Sequence, residues 1–415
     1  MSSFSIPLTG LNASSKALNT VANNLANMNT TAFKSQNVTF SDLFYQQIGT
    51  AGSGNPLQVG AGTQVASTQT DFSTGSMNSD GIPTDMAIDG SGFFVVQSGG
   101  MTEYTRDGNF LLASDGSLET QGGEKVMGYP TANGVVNTSA PLTAIQIPTN
   151  GVLPAQATSH FSFTGNLDAS SAGGASTSME TTVYDSLGIA HIATVTFTKS
   201  STTPNSWDYS VSLPGGDLSA TGTASNATGT VTFDSNGNLI VPSSTATPAA
   251  IGFTGLADGA SDLSLTWNLY NSAGQPLISQ TASASGASAQ FQDGYAAGAY
   301  REFSVDPTGL VSVTYENGKT VNVAQIAIAS VTNAQGLAHL GNGLYATTAA
   351  SGQASVGAAA SGGRGSIEGQ TLEGSNVNIS TQFANLIIEQ QAFDASSKAI
   401  TTFDSISQET INMIH

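Results

Sequence analysis

The residues best suited to acid–base or metal chemistry are four histidines, His160, His191, His339 and His415, and their spacing serves neither purpose. No HExxH pair places two imidazoles on one helix face, and no Cys or acidic partner stands at a metal-finger interval. Each histidine therefore reads as a surface or internally satisfied residue. Asp80, Asp85 and Asp89 are carboxylates close together in sequence. Their Gly- and Pro-rich surroundings read as turns, where a carboxylate keeps its ordinary acidity. The stretch DSNGN at 234–238 resembles the start of a calcium loop, but no Glu closes a twelve-residue loop, so it reads as a turn. DGSGFF at 89–94 lacks the Lys-Ser/Thr of a phosphate loop, and no GxSxG elbow occurs. These absences point to a protein that is not an enzyme and needs no cofactor or metal.

Charge narrows the partners further. The 28 acidic and 9 basic residues give a formal net charge of -19, the wrong sign for a nucleic-acid partner, because phosphate binding requires clustered Lys and Arg. Cysteine is absent, which excludes disulfides and cysteine-dependent crosslinks. No apolar run approaches the roughly 20 residues that span a bilayer, so membrane insertion is not expected. The opening MSSFSIPLTG has neither the basic region nor the apolar stretch of a cleaved signal, and export, if it occurs, is expected to proceed without one.

The elements that would carry any function are set by two periodicities. Between Gly10 and Phe33, Leu11, Leu18 and Leu25 recur every seven residues, with Ser14, Val21 and Met28 offset by three. Near the C-terminus, Ile379, Leu386, Phe393, Ile400, Ser407 and Ile414 repeat the same interval, flanked by Phe383, Ile387, Phe403 and Ile411. Such rows are the seams of helices that pack along their length. The chain holds 47 glycines, yet none follows Gly374, and no proline does either. Glycine and proline cost a helix interior about 1 and 3 kcal/mol relative to alanine, which accounts for their exclusion. Ser375 or Asn376 is the expected N-cap.

Between these helices the signals are those of strands. Asp107-Gly108, Asp115-Gly116 and Asn317-Gly318 each read as a hairpin turn, since Gly accepts positive φ and Asx tolerates it. VYDSLG (183–188) and LYNSAG (269–274) share Tyr, Asx, Ser and Gly at equal spacing, and read as chance turns rather than as a duplication. From 146 to 287 eight acids face a single base, Lys199. The fold class expected is α+β, mainly β. Terminal helices 1–33 and 376–415 pair as a coiled coil, 34–80 is an extended connector, 81–145 with 288–375 is a split β-rich domain, and 146–287 is an inserted outer β domain. Helices separated by so much β sequence have as natural partners each other and their equivalents in neighbouring copies. These features alone also accommodate a secreted β-rich adhesin.

The stretch GLNASSKALNTVANNLANMNTTAFK (10–34), DMAIDGSGFFVVQ (85–97), YTRDGNFLLASDGSLETQGGEKVMGY (104–129) and LEGSNVNIS (372–380) together resemble the rod-and-hook family of bacterial flagellar axial proteins. Within it, residues 291–352 are most similar to the hook branch, and the length favours that branch over the shorter distal-rod paralogue. The resemblance covers nearly the whole chain and is weakest from about 170 to 290. It implies a subunit that passes unfolded through the flagellar export apparatus and assembles beneath a hook cap into a curved helical tube. That tube is the hook, a universal joint passing torque from rod to filament. The implied partners are further copies of the chain, the distal rod, the hook cap and the hook-filament junction proteins. The family motif falls on Asn23, Asn24, Asn27, Phe33 and Lys34, and on Leu372, Glu373, Gly374, Ser375 and Asn376. The polymer interface is expected along Leu11, Leu18, Val21, Leu25 and Met28, with Ile379, Phe383, Leu386, Phe393, Ile400 and Ile411.

Overall fold

A computed structural model describes residues 5–52 and 54–413, so Ile414 and His415 lie outside the described residues. Helix α1 spans Ser5–Ala26 and helix α2 spans Ile379–Asn412. Asn24 touches Gln382, and a Cβ on Gly10 would lie 3.1 Å from Ser396 Oγ, so the two helices run antiparallel and approach closely at the glycine. Helix α1 ends sooner than the heptads imply. The Asn27 side chain folds back on the Asn23 carbonyl at 2.9 Å, competing with the helical ladder, and Met28 falls in the turn that follows. The N-cap of α2 is Asn378, whose Oδ1 accepts from Thr381 N at 3.1 Å. Ser375 and Asn376, the expected caps, lie too early, and Asn376 bonds elsewhere.

Residues 34–80 are more ordered than a bare connector. Strand Gln36–Asp42 pairs antiparallel with Thr63–Thr70, and Gln46–Thr50 pairs with Pro56–Val59. The Gly/Ser-rich stretch closes the second pair rather than leaving the chain extended. Strand Met77–Ser79 then pairs with Thr371–Glu373, bringing the end of this segment to the start of α2.

The chain forms two compact units, the first holding residues up to Thr149, Phe303–Val313 and those from Val321 on, the second Asn150–Glu302 with Thr314–Thr320. In the first, strands Lys125–Ala132, Phe93–Ser98, Met101–Thr105, Leu344–Ala346 and Ala338–Gly341 pair antiparallel in that order. The run Phe93-Phe94-Val95-Val96 is buried throughout, because successive side chains enter opposite faces and both faces are covered. Phe93 and Val95 join Tyr104, Met127 and Tyr345, whereas Phe94 meets Phe110 edge-on at 5.1 Å.

Asp107-Gly108 is not a hairpin turn. The flanking strands Met101–Thr105 and Phe110–Leu112 pair with other partners. Gly108 is instead packed against backbone, with its carbonyl accepting from Met86 N at 3.0 Å and no room for a Cβ. Asp115-Gly116 does lie in the loop between the paired strands Phe110–Leu112 and Leu118–Thr120.

The second unit is a sandwich. Strands Ser176–Tyr184, Ala190–Lys199, Ser206–Ser212, Thr228–Phe233 and Leu239–Val241 form one antiparallel sheet. The other contains Leu218–Ser225, Ile251–Leu256, Leu263–Trp267, His160–Asp168 and Ile278–Thr281. Phe161, Phe163, Phe197, Trp207 and Trp267 fill the space between them. Strand Gly286–Gln292 pairs with His160–Asp168, so the expected boundary at 287 falls inside a strand of this unit. Asp185, Asn271 and Asp234 each accept two backbone N–H bonds, from the residues two and four further on, which explains the recurring Asx-Ser-x-Gly as a turn.

Candidate functional site

A buried polar region joins the end of α1 to the start of α2, and three charged side chains form its centre. Lys34 Nζ donates to Glu373 Oε1 at 2.5 Å, and Arg106 Nε donates to Glu373 Oε2 at 3.1 Å. All three side chains are at most 3% exposed. Further donors reach backbone: Lys34 donates to Ser73 O, and Arg106 to the carbonyls of Gly90, Gly92 and Ile88. Glu373 Oε1 accepts a further bond from Gly75 N. Burial pulls the Lys34 ammonium below the usual lysine range, opposed by its bond to Glu373 and the charge there. Ions this deep are tolerated only when paired and hydrogen-bonded, as these are.

Two asparagines extend the network. Asn24 is fully buried, accepting from Gln36 N at 2.9 Å while donating to Gln36 O at 2.8 Å and Gln382 Oε1 at 3.3 Å. One side chain thus fastens α1 to the strand that follows it and to α2. Asn376 accepts from Ser35 N at 2.8 Å and donates to Asp71 O at 2.8 Å. Backbone bonds from Ala32 N to Glu373 O and from Asn376 N to Phe33 O close the arrangement.

The expected motif residues divide accordingly. Asn24, Lys34, Glu373 and Asn376 meet in this network. Phe33, Leu372, Gly374 and Ser375 are half-buried beside it, Asn27 caps the end of α1, and Asn23 is exposed. Arg106 and Gln382 complete it, although no periodicity distinguishes either. The signal for Arg106 is that it stands in YTRDGN, one of the few cations of a strongly acidic chain.

The expected interface residues divide differently. On α1 the buried face is Ala13, Ser14, Ala17, Val21 and Asn24, with Leu11, Leu18 and Leu25 half-buried at its flank and Met28 exposed. On α2, Leu386, Phe393 and Ile400 are half-buried, while Ile379, Phe383 and Ile411 are exposed together with Ile387, Ile388 and Ile406. Phe383, Ile387 and Ile388 are each 52–60% exposed, a continuous apolar face on one stretch of helix. Among the described residues no helix is long and apolar enough to cross a membrane.

Two titratable groups behave otherwise than their settings suggest. Asp85 is buried, and burial, followed by the hydrogen bond and charge of Asp80, pushes its carboxyl up to about 7. His191 is also buried, with Asp185, Asp217 and Asp258 around its ring.

Comparison with known proteins gives a consistent picture. Residues 6–34 match the family described as flagella basal body rod protein, and 368–413 the flagellar basal body rod FlgEFG protein C-terminal region. Residues 87–173 match the flagellar hook protein FlgE/F/G D1 domain, and 152–295 the flagellar basal body protein FlaE D2 domain. The chain is 32% identical to the flagellar hook protein FlgE of Treponema pallidum over 98% of both chains. It is likewise 32% identical to that of Escherichia coli over 99% of both. In fold it is similar to the crystal structure of Helicobacter pylori flagellar hook protein FlgE2, with a TM-score of 0.53 at 16% identity, over 71% of this chain and 99% of that one.

Proposed function

The chain belongs to the flagellar hook protein family, and from that premise we propose how its terminal helices build the hook of which it is a structural subunit. The carrying observation is the exposed apolar face of α2 at Phe383, Ile387 and Ile388. Burying each such side chain contributes about 1.5–3 kcal/mol, a gain that a neighbouring copy supplies and water does not. Leu11, Leu18, Val21, Leu25, Leu386, Phe393 and Ile400 hold the two helices together within one subunit. Ile379, Phe383 and Ile411 face outward to the next copy, with Met28 beside the base of the pair. A contact between different surfaces, repeated without closure, generates a helical tube.

The polar network of Asn24, Lys34, Glu373 and Asn376 sets the direction in which the helix pair leaves the β-rich body. Every copy then presents the same face at the same angle. In this reading the inserted second unit meets its equivalents in other copies. Its surface is rich in Ser, Thr, Asn and Gly and makes contacts that exchange as the tube bends. The distal rod, hook cap and hook-filament junction proteins meet the ends of the polymer, and the flagellar export apparatus delivers the chain without a cleaved signal.

Negative-stain microscopy of the full chain beside a chain lacking 376–415 tests this reading. Tubes from the full chain seeded on rod-hook ends, and none from the truncated chain, are the expected result. Equal growth of both would remove the helices from the assembly interface.

A further inference from the structure

In the second unit, the strand Ala190–Lys199 buries alternate residues, His191, Ala193, Val195 and Phe197, so register carries a histidine onto the core side of the sandwich. Three acidic side chains surround its ring. Nδ1 lies 2.9 Å from Asp217 Oδ2, a normal charge-assisted hydrogen bond. Nε2 lies 3.3 Å from Asp185 Oδ2 and 3.4 Å from Asp258 Oδ2. With the ring proton on Nδ1 donated to Asp217, the Nε2 lone pair of this 96%-buried side chain (4% exposed) faces only acceptors. Three acceptors that converge without a donor require a positive charge between them.

We propose that Asp185, His191 and Asp258 bind a first-row divalent cation, with Asp217 orienting the imidazole from behind. The two Nε2 distances fit ligand atoms placed around a shared ion. An imidazolium N–H bonded to a carboxylate lies at about 2.7–2.9 Å, shorter than either contact of Nε2. Ligand bonds of about 2.0–2.1 Å in a tetrahedral site place ligand atoms about 3.3–3.4 Å apart. Charge argues the same way. Three carboxylates and one imidazolium leave a net of two negative charges in a region, 146–287, whose single base, Lys199, donates to Ala169 O instead. A divalent ion with neutral imidazole reduces that excess to one.

The surroundings are constructed to hold these groups. Asp185 Oδ1 accepts from Leu187 N and Ile189 N, both at 2.8 Å, which aims Oδ2 at the ring. Asp258 Oδ1 accepts from Ala260 N, and Ala257 N donates to Asp217 O, setting these two acids side by side. Ser261 N donates to Ser186 Oγ at 2.9 Å, tying the Asp258 turn to the Asp185 turn. A carboxylate holding the far nitrogen of a ligating histidine is a recurring feature of metal centres. Asp258 lies on an exposed turn and gives the ion its path from solvent. The inference does not depend on the assembly role of the helices.

The test is titration of the full chain with Co²⁺, read by its visible d–d absorption, and with Zn²⁺, read by calorimetry. One saturable ion per chain with the intense bands of a tetrahedral site is expected. His191→Gln and Asp258→Asn should abolish the bands. Asp217→Asn should keep them while weakening affinity about 10- to 100-fold. Circular dichroism verifies that each variant is folded. Should His191→Gln not fold, Asp258→Asn on its exposed turn carries the test alone. The absence of d–d bands on titration, or binding unchanged in Asp258→Asn, overturns the proposal and leaves His191 as a proton-bearing core residue.

Discussion

Lys34 and Glu373, 339 residues apart in sequence, form an ion pair at 2.5 Å with side chains no more than 1% exposed. The pair, with Arg106 as its third member, is the point at which both ends of the chain are fastened to the β-rich unit. Removing one member of a buried ionic group leaves the others desolvated and unpaired, at a cost of about 3–5 kcal/mol. Glu373 neutralises two cations, so Glu373→Gln should lie at the top of that range and Lys34→Met below it. Urea unfolding of the full chain measures both. Losses under about 1 kcal/mol in each variant would mean the network contributes little to fastening the helices.

The acidity of Asp85 gives a pH signature. Its folded carboxyl is pushed up to about 7, burial being the largest cause and Asp80 the next. A group whose folded pKa lies above its unfolded value, about 3.9, makes its stabilising contribution in full below the unfolded pKa. That contribution is lost as pH rises through the folded pKa. Relative to Asp85→Asn, which cannot ionise, the natural chain should lose stability between pH 4 and pH 8. Unfolding curves for both chains at those two pH values provide the comparison. A difference that stays constant would show that Asp85 titrates normally in the fold.

How much of this was legible in the sequence depends on how far apart the partners lie. The helices were readable, because a seven-residue apolar interval and the absence of glycine and proline are local properties. The face of α1 that packs was readable only in part: Ser14 and Val21 of the offset row are buried, whereas Met28 is exposed. The leucine row Leu11, Leu18 and Leu25 is the more hydrophobic, yet the smaller Ala13, Ala17 and Val21 are the buried residues. Small side chains let two helices close together, and a hydrophobicity pattern does not reveal which apolar row meets an intramolecular partner. The polar network escaped for another reason. Lys34, Asn24, Glu373 and Asn376 were picked out by family resemblance, but their pairing is tertiary and involves Arg106 and Gln382 from elsewhere. His191 is the extreme case: it looked like an ordinary strand residue because Asp217 and Asp258 approach it from turns distant in sequence.

The exposed row of α2 leads to the prediction that most directly separates folding from assembly. Phe383 and Ile387 are 52% and 54% exposed, so replacing them with serine removes little from the subunit's own core. Such surface changes usually alter stability by no more than about 0.5 kcal/mol. If this face meets the next copy, each substitution forfeits part of about 1.5–3 kcal/mol per contact, and a polymer repeats that loss at every subunit. The double variant Phe383→Ser/Ile387→Ser should therefore unfold at nearly the natural urea midpoint and yet fail to extend seeded tubes. Leu386→Ser is the counterpart, because Leu386 is half-buried on the same helix. It should lower both helix content and tube growth. Sedimentation of tubes alongside circular dichroism distinguishes the two patterns. Normal tube growth by the double variant would place the intersubunit contact on another face of the helix.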